Sequence, residues 1–319
     1  MADPAPSPEV AGHAQTPARR SGIAAFYDTP YALLVLAVLF WAGNFIVGRA
    51  VRDAVPPIAL AFGRWTGGFL VVMLFARQHL LRDLPALLRS WRIMLLLSAT
   101  GIAAFNSFIY TGLRTTTAIN AALEQSIMPV VILLYSYLIF RERVSLAQAA
   151  GVLISLSGVI VIVTRGEPLA LFNIPLNVGD AWVLAAVLAY AAYSALLRLR
   201  PRVHPSSFVA ATFLVGALMI LPFFVAEELS GDVLQARPAT FLAIGYVAVF
   251  PSVLAYLCYN RAIELIGANR AGQFMHLMPV FGSVLAILLL GEEFRFFHLG
   301  GALLIFAGIV LAMRRRISG

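Results

Sequence analysis

Ten apolar stretches succeed one another along the chain, at 30–48, 57–76, 93–113, 118–140, 145–163, 179–197, 206–226, 239–263, 269–290 and 296–313. Each is near the roughly 20 residues that carry a helix across a ~30 Å hydrocarbon core. They are too long for barrel strands of about ten residues and lack the strand's apolar–polar alternation. A chain that is 61% hydrophobic and 12% charged cannot cover a water-facing surface with polar groups. The expected fold class is therefore all-α integral membrane with ten transmembrane helices, each satisfying its own backbone. The lipid bilayer is its first partner.

Charge gives the orientation. All 23 basic residues are arginine. With the N-terminus inside, 16 of them, among them Arg77, Arg82, Arg141, Arg143, Arg198 and Arg200, fall on the inner side or its loops and six on the outer. The excess of basic residues on cytoplasmic loops then places both termini in the cytoplasm. The net charge of +8 serves topology, and no nucleic-acid partner is expected. Residues 1–29, rich in Ala, Pro and Ser, read as a disordered cytoplasmic tail, and 314–319 as a basic cytoplasmic C-terminus. The single cysteine, Cys258, excludes an internal disulfide, and the five histidines have no metal-ligand spacing, so neither metal nor cofactor is expected.

Shifting the chain by 150 residues aligns 111–163 with 261–313 without a gap. The triplet Met128-Pro129-Val130 meets Met278-Pro279-Val280, Glu142 meets Glu292, Gly151 meets Gly301 and Gly158 meets Gly308. The chain reads as a five-helix unit used twice, at 30–164 and 179–313. An odd number of crossings turns the second copy upside down. Such inverted repeats are a recurrent plan of secondary transporters, with the substrate site near the midplane between the halves. Each glutamate is expected to end its helix at an interface.

Pro129 and Pro279 fall mid-span. A proline there removes one hydrogen bond and frees the carbonyl four residues earlier, at Gln125 and Met275. A freed carbonyl is tolerated at membrane depth only where it faces protein or water. Matched kinks therefore mark a central cavity and give each half a hinge, although a static packing kink copied by duplication fits the same residues.

The segments SIMPVVILLYSYLIFRERVSLAQAAGVLISLSGVIVI and HLMPVFGSVLAILLLGEEFRFFHLGGALLIFAGIVLA, with LFWAGNFIVGR, FGRW and AYLCYNRAI, resemble the EamA domain of the drug/metabolite transporter superfamily from about 31 to 313. The resemblance implies ten helices in two inverted EamA repeats around a central cavity open to one side at a time. Within the superfamily it points to YddG-type exporters of aromatic and other neutral amino acids in the bacterial inner membrane. Where many relatives read LGE, the first half reads FRE at 140–142.

Polar side chains are costly inside a span and turn toward the bundle interior. Helical spacing puts Trp41, Asn44 and Phe45 on one stripe, Asn106 with Tyr110, Tyr190 with Tyr193, and Tyr256 with Tyr259 and Asn260. Glu124 and Gln125 precede one proline, and Gln273 and His276 the other. Together they suggest a substrate cavity with aromatic walls and amides able to hold ammonium and carboxylate alike, which suits a zwitterionic amino acid. Each residue could equally pack or bridge helices. Glu124 could bind an ammonium, carry a coupling proton, or pair with a neighbour. His276 is more often the kind of residue that satisfies a hydrogen bond. Arg64, eight residues into its span, is expected to snorkel to the outer surface in a structural role.

The expected function is export of a small molecule, a neutral or aromatic amino acid, by alternating access. Another metabolite or a drug on the same fold is the alternative. A channel would need a filter loop or a ring of like charges. A membrane-embedded enzyme would need a nucleophile with a base, paired carboxylates or a metal cluster, and the sequence offers none.

Overall fold

The computed structural model describes residues 26–51, 54–173, 177–291 and 293–313. The expectations for the two tails and for Glu292 lie outside or almost wholly outside them. Ten helical spans follow: α1 (Pro30–Val51), α2 (Pro57–Arg89), α3 (Trp91–Gly112), α4 (Asn120–Phe140), α5 (Leu146–Val163), α6 (Val178–Leu199), α7 (Pro205–Leu229), α8 (Pro238–Ile266), α9 (Ala268–Leu289) and α10 (Phe296–Met313). Among the described residues α2 to α10 are long and apolar enough to cross a membrane, and α1 has an apolar run over Pro30–Asn44. Leu74, Leu153, Leu242 and Leu288 stand exposed on the flanks, an apolar surface that suits lipid.

The ends of these helices follow local chemistry. Ser145 Oγ accepts from the Gln148 N–H at 3.1 Å while the Gln148 side chain accepts from the Ser145 N–H at 3.0 Å, a reciprocal cap on α5. Glu227 of α7 caps α2 from a distance, accepting from Ile58 N at 3.2 Å and Ala59 N at 2.7 Å. α2 runs 33 residues, well beyond the expected 57–76. Hydropathy registers only the stretch before Arg77, yet Leu80 and Leu87 keep packing on the core, so the helix continues past the apolar segment.

The repeats interleave. α1 packs on α8 and α9 of the second repeat, and α6, its counterpart, packs on α3 and α4 of the first. The self-related pairs α2 with α7 and α5 with α10 close the bundle. On α5 and α10, Gly151 faces Gly308 and Gly158 faces Gly301, so these helices run antiparallel. That pairing is what inversion requires.

The repeat also extends beyond the stretch where identity reveals it. π-helical turns interrupt α3 at Ala99–Ala104 and α8 at Val249–Leu254, 150 residues apart. ATGIAA and VFPSVL share no residue in register.

The prolines do something other than kink a continuous helix. The helix of α4, which begins at Ala118 just ahead of the apolar span, is split into Ala118–Gln125 and Met128–Phe140, with Ser126 and Ile127 between. α9 passes through a 3-10 stretch, Gly272–Leu277, before Met278–Leu290. Pro129 and Pro279 each sit in the first turn of the new helix, where a missing N–H leaves nothing unmade. The freed Met275 carbonyl accepts from the Met278 N–H instead.

Candidate functional site

The two π turns aim backbone carbonyls at the middle of the bundle. In α8, Pro251 has no N–H for the Val247 carbonyl, and the Ser252 hydroxyl bonds that carbonyl at 2.7 Å. The Pro251 carbonyl turns inward and accepts from Trp41 Nε1 at 2.8 Å and from Arg64 at 2.9 Å. At the matching place in α3, the Gly101 carbonyl accepts from the Tyr256 hydroxyl at 2.5 Å. Such turns recur at functional sites because they offer acceptors without unfolding the helix.

Arg64 departs from its expectation. It is 2% exposed and points inward, not to the outer surface. Its Nε donates to Ser252 Oγ at 2.7 Å, and one terminal nitrogen reaches Asn106 Oδ1 at 3.0 Å, Asn44 Oδ1 at 3.2 Å and the Tyr110 hydroxyl at 3.2 Å. The guanidinium also lies over the Trp65 ring, 4.7 Å from its centroid. The acceptors of α8 hold it inside, and snorkelling would give up both bonds.

Trp41 is the hub of the aromatic wall. Tyr190, Tyr256 and Tyr259 meet it edge-on, with centroids 5.8, 6.0 and 5.1 Å away. Trp41, Tyr190 and Tyr256 enclose a cavity with Asn44, Asn106 and Tyr110, and Gln125 and Met128 close it at the α4 break. About 30 Å³ of space is free at its centre, room for roughly two waters.

The family model for the EamA-like transporter family matches residues 29–164 and again 177–314. This chain belongs to the EamA-like transporter family. An uncharacterized transporter of Archaeoglobus fulgidus is 25% identical over 289 residues, covering 90% of this chain and 98% of its own. The uncharacterized transporter YyaM of Bacillus subtilis is also 25% identical over 289 residues, 88% of this chain and 92% of its own. A probable terminal-alkyne amino-acid exporter of Streptantibioticus cattleyicolor is 26% identical over 292 residues, 89% of this chain and 93% of its own. A crystal structure aligns with a TM-score of 0.76 at 19% identity, over 91% of this chain and 99% of its own, a likeness of fold.

Several residues expected in the cavity of this EamA protein stand elsewhere. Tyr193, Tyr259 and Asn260 lie one turn further along α6 and α8, toward the face where Asp28 meets Arg261. The Tyr193 hydroxyl donates to Asn260 Oδ1 at 2.8 Å, and Tyr259 meets Ser194 at 3.0 Å, a buried layer beneath the cavity floor. Beyond it, Glu142 is held by Arg198 at 2.5 Å and Asn269 at 2.9 Å, which ties the repeats together at that face. Phe45 is helical, but its side chain lies outside the described residues.

His276 is fully buried in the joint between the repeats, where its ring meets Ser155 Oγ at 2.6 Å and the Ser126 carbonyl at 2.8 Å. Gln273 bonds back to the Asn269 carbonyl at 3.4 Å. Neither lines the cavity: the 3-10 stretch turns His276 toward α4 and α5 and leaves Met275 and Met278 at the cavity's edge. Glu124 also lies off the cavity lining, with Oε2 buried and unpartnered. The charge acting on it is the Asp180 carboxylate, itself bonded by Thr116 and by Asn120 at 3.0 Å. Among the described residues no cation pairs with Glu124. Arg64 is the cavity residue that hydropathy mislaid; its place beside Trp65 in FGRW was the available signal.

Proposed function

We propose that this EamA protein is a secondary transporter of the bacterial inner membrane, with both termini cytoplasmic. It exports neutral amino acids with aromatic or other apolar side chains. The observation that carries this is the cavity between the repeats, walled by Trp41, Tyr190 and Tyr256 and edged by Asn44, Asn106 and Tyr110. Rings of that kind accept an apolar side chain, and the polar edge accepts the amino-acid head. The printed name of the Streptantibioticus relative, an amino-acid exporter, supports the same class.

Space for about two waters is too little for an amino acid, so loading requires the repeats to move apart. The breaks at Pro129 and Pro279 are the proposed hinges: the turn at Ser126–Ile127 and the 3-10 stretch before Met278 can bend without losing regular helix bonds. Tying Glu142 to Arg198 and Asn269 shuts the cytoplasmic side, and the tie must release for loading. Glu124, unpaired inside α4, is the proposed carrier of a coupling proton.

Counterflow of labelled phenylalanine, methionine and threonine into proteoliposomes of the purified protein tests the reading. Accelerated uptake into amino-acid-loaded vesicles is expected. Failure of all three, while another metabolite exchanges, sinks the amino-acid assignment.

A further inference from the structure

The cavity holds a full positive charge with no negative partner. Every acceptor around Arg64 is neutral: the Ser252 and Tyr110 hydroxyls, the Asn44 and Asn106 amide oxygens and the Pro251 carbonyl. Among the described residues no carboxylate comes within ion-pairing distance of it. A charge taken out of water at this depth is costly until an opposite charge joins it.

The bond lengths show which edge of the guanidinium is committed. Nε and one terminal nitrogen hold α8 at 2.7 and 2.9 Å, within the range of charge-assisted bonds. The other terminal nitrogen is shared among three acceptors at 3.0, 3.2 and 3.2 Å, long for a charged donor. One edge is anchored, and the other is loosely met and faces the cavity.

Two further donor groups share the cavity with it. A guanidinium only donates, so the Asn106 oxygen must face Arg64, which turns its amide nitrogen away. That Nδ2 is buried without a partner, the Tyr190 hydroxyl has only the neighbouring Tyr256 hydroxyl to meet, and both residues line the cavity.

We infer that the loose edge of Arg64, Asn106 Nδ2 and the Tyr190 hydroxyl form a receptor for a carboxylate, and that the carboxylate, not the amine, is what this site selects. All three are donors, the complement of a group whose two oxygens only accept. An ammonium group finds ring faces there but no anion, and it meets the repulsion of Arg64. The ligand class is therefore an apolar or aromatic monocarboxylate, for which the α-amine is dispensable. This rests on the proposal that the cavity is the substrate site, and its test reads binding and not flux.

The test is competition against labelled phenylalanine on the purified full chain in nanodiscs. The probes share one skeleton: 3-phenylpropanoate, phenylalanine, phenylalaninamide and phenethylamine. The two carboxylates are expected to bind, and the amide and the amine to bind more weakly by a factor on the order of ten to a hundred, the worth of a hydrogen bond to a charged group. Arg64→Gln should lose that preference, while Arg64→Lys keeps its sign at lower affinity. Comparing the four probes on the unaltered protein does not depend on either variant folding. Phenethylamine or the amide binding as tightly as phenylalanine overturns the inference, as does failure of both carboxylates to bind. Carboxylates that bind but never cross the bilayer sink the transport reading and leave the receptor standing.

Discussion

His276 and the Ser126 carbonyl are 2.8 Å apart, and they are the same position of the two repeats, 150 residues removed. A carbonyl only accepts, so His276 Nε2 carries the proton and Nδ1 is left to meet Ser155 at 2.6 Å. The break before one proline leaves a carbonyl that the break before the other proline satisfies. His276→Leu removes both bonds and leaves the Ser126 carbonyl buried without a partner, which costs about 1–3 kcal/mol, while Ser155 keeps its bond to the Val152 carbonyl. Thermal unfolding in detergent should show the loss, and phenylalanine affinity of the remaining folded protein should be unchanged. A loss of affinity without a loss of stability would return His276 to the substrate site.

The second joint is tighter. A Cβ on Gly158 would lie 2.5 Å from the Gly301 carbonyl, and one on Gly301 would lie 2.7 Å from the Gly158 carbonyl. Small residues let helices approach this closely where no hydrophobic effect drives them together. Gly158→Ala should therefore destabilise by about 1–3 kcal/mol, as overpacking does, and lower the yield of monodisperse protein. Unchanged thermal stability would mean that α5 and α10 separate freely.

These joints show what was legible in the sequence. Gly151, Gly158 and their counterparts keep identity because backbone contact leaves no room for a side chain, and Pro129 and Pro279 each open a helix where no N–H is needed. The π turns at 99–104 and 249–254 kept only their backbone, so no residue match betrays them. Arg64 was misplaced because its anchors, Ser252 and the Pro251 carbonyl, come from a span 187 or 188 residues away. Hydropathy reports depth in the membrane and not the direction in which a side chain points. His276 and Gln273 precede the second proline as polar residues at membrane depth, a position that points to the cavity, but the 3-10 stretch sets their directions.

Arg141 and Gly291 end equivalent helices in the same left-handed conformation, at φ 57° and 71°. The FRE of the first repeat thus adopts a shape that glycine takes without strain and arginine does not. The Arg141 side chain is exposed, so Arg141→Gly removes strain without breaking a buried contact. A gain of about 1 kcal/mol is expected, the strain relieved less the extra freedom of glycine in the unfolded chain. A lower unfolding temperature would show that the arginine makes a compensating contact at the interface.

His204 makes the loop before α7 sensitive to acid. Its ring stacks on His79 with centroids 3.8 Å apart, and its backbone N–H donates to Asp83 at 2.9 Å. Partial burial lowers its pKa first and the neighbouring His79 lowers it further, with Asp83 acting in the opposite sense. A histidine whose folded pKa lies below its unfolded value near 6.5 binds more protons when unfolded. Its contribution is therefore neutral above that pH and destabilising as pH falls below it. His204→Asn keeps an acceptor for the Ser206 N–H at the head of α7 and removes the titration. The drop in unfolding temperature between pH 7.5 and pH 5 should be smaller in the variant, and an identical drop would place the acid sensitivity elsewhere.

Trp41 joins the aromatic wall to the α8 carbonyl, and two variants separate these duties. Phenylalanine at this position keeps a ring against Tyr190, Tyr256 and Tyr259 but drops the 2.8 Å bond to Pro251. Alanine drops both. Arg64 still holds the Pro251 carbonyl in either variant, so the π turn should survive and both proteins should fold. Edge-on ring contacts are worth about 0.5–1.5 kcal/mol beyond buried area, which corresponds to a few-fold to roughly tenfold in affinity. Trp41→Ala should raise the half-saturating phenylalanine concentration in counterflow by at least that factor, and Trp41→Phe by less. Equal affinity in both variants would mean that the substrate ring does not rest on Trp41, and the aromatic side-chain preference would have to come from another wall.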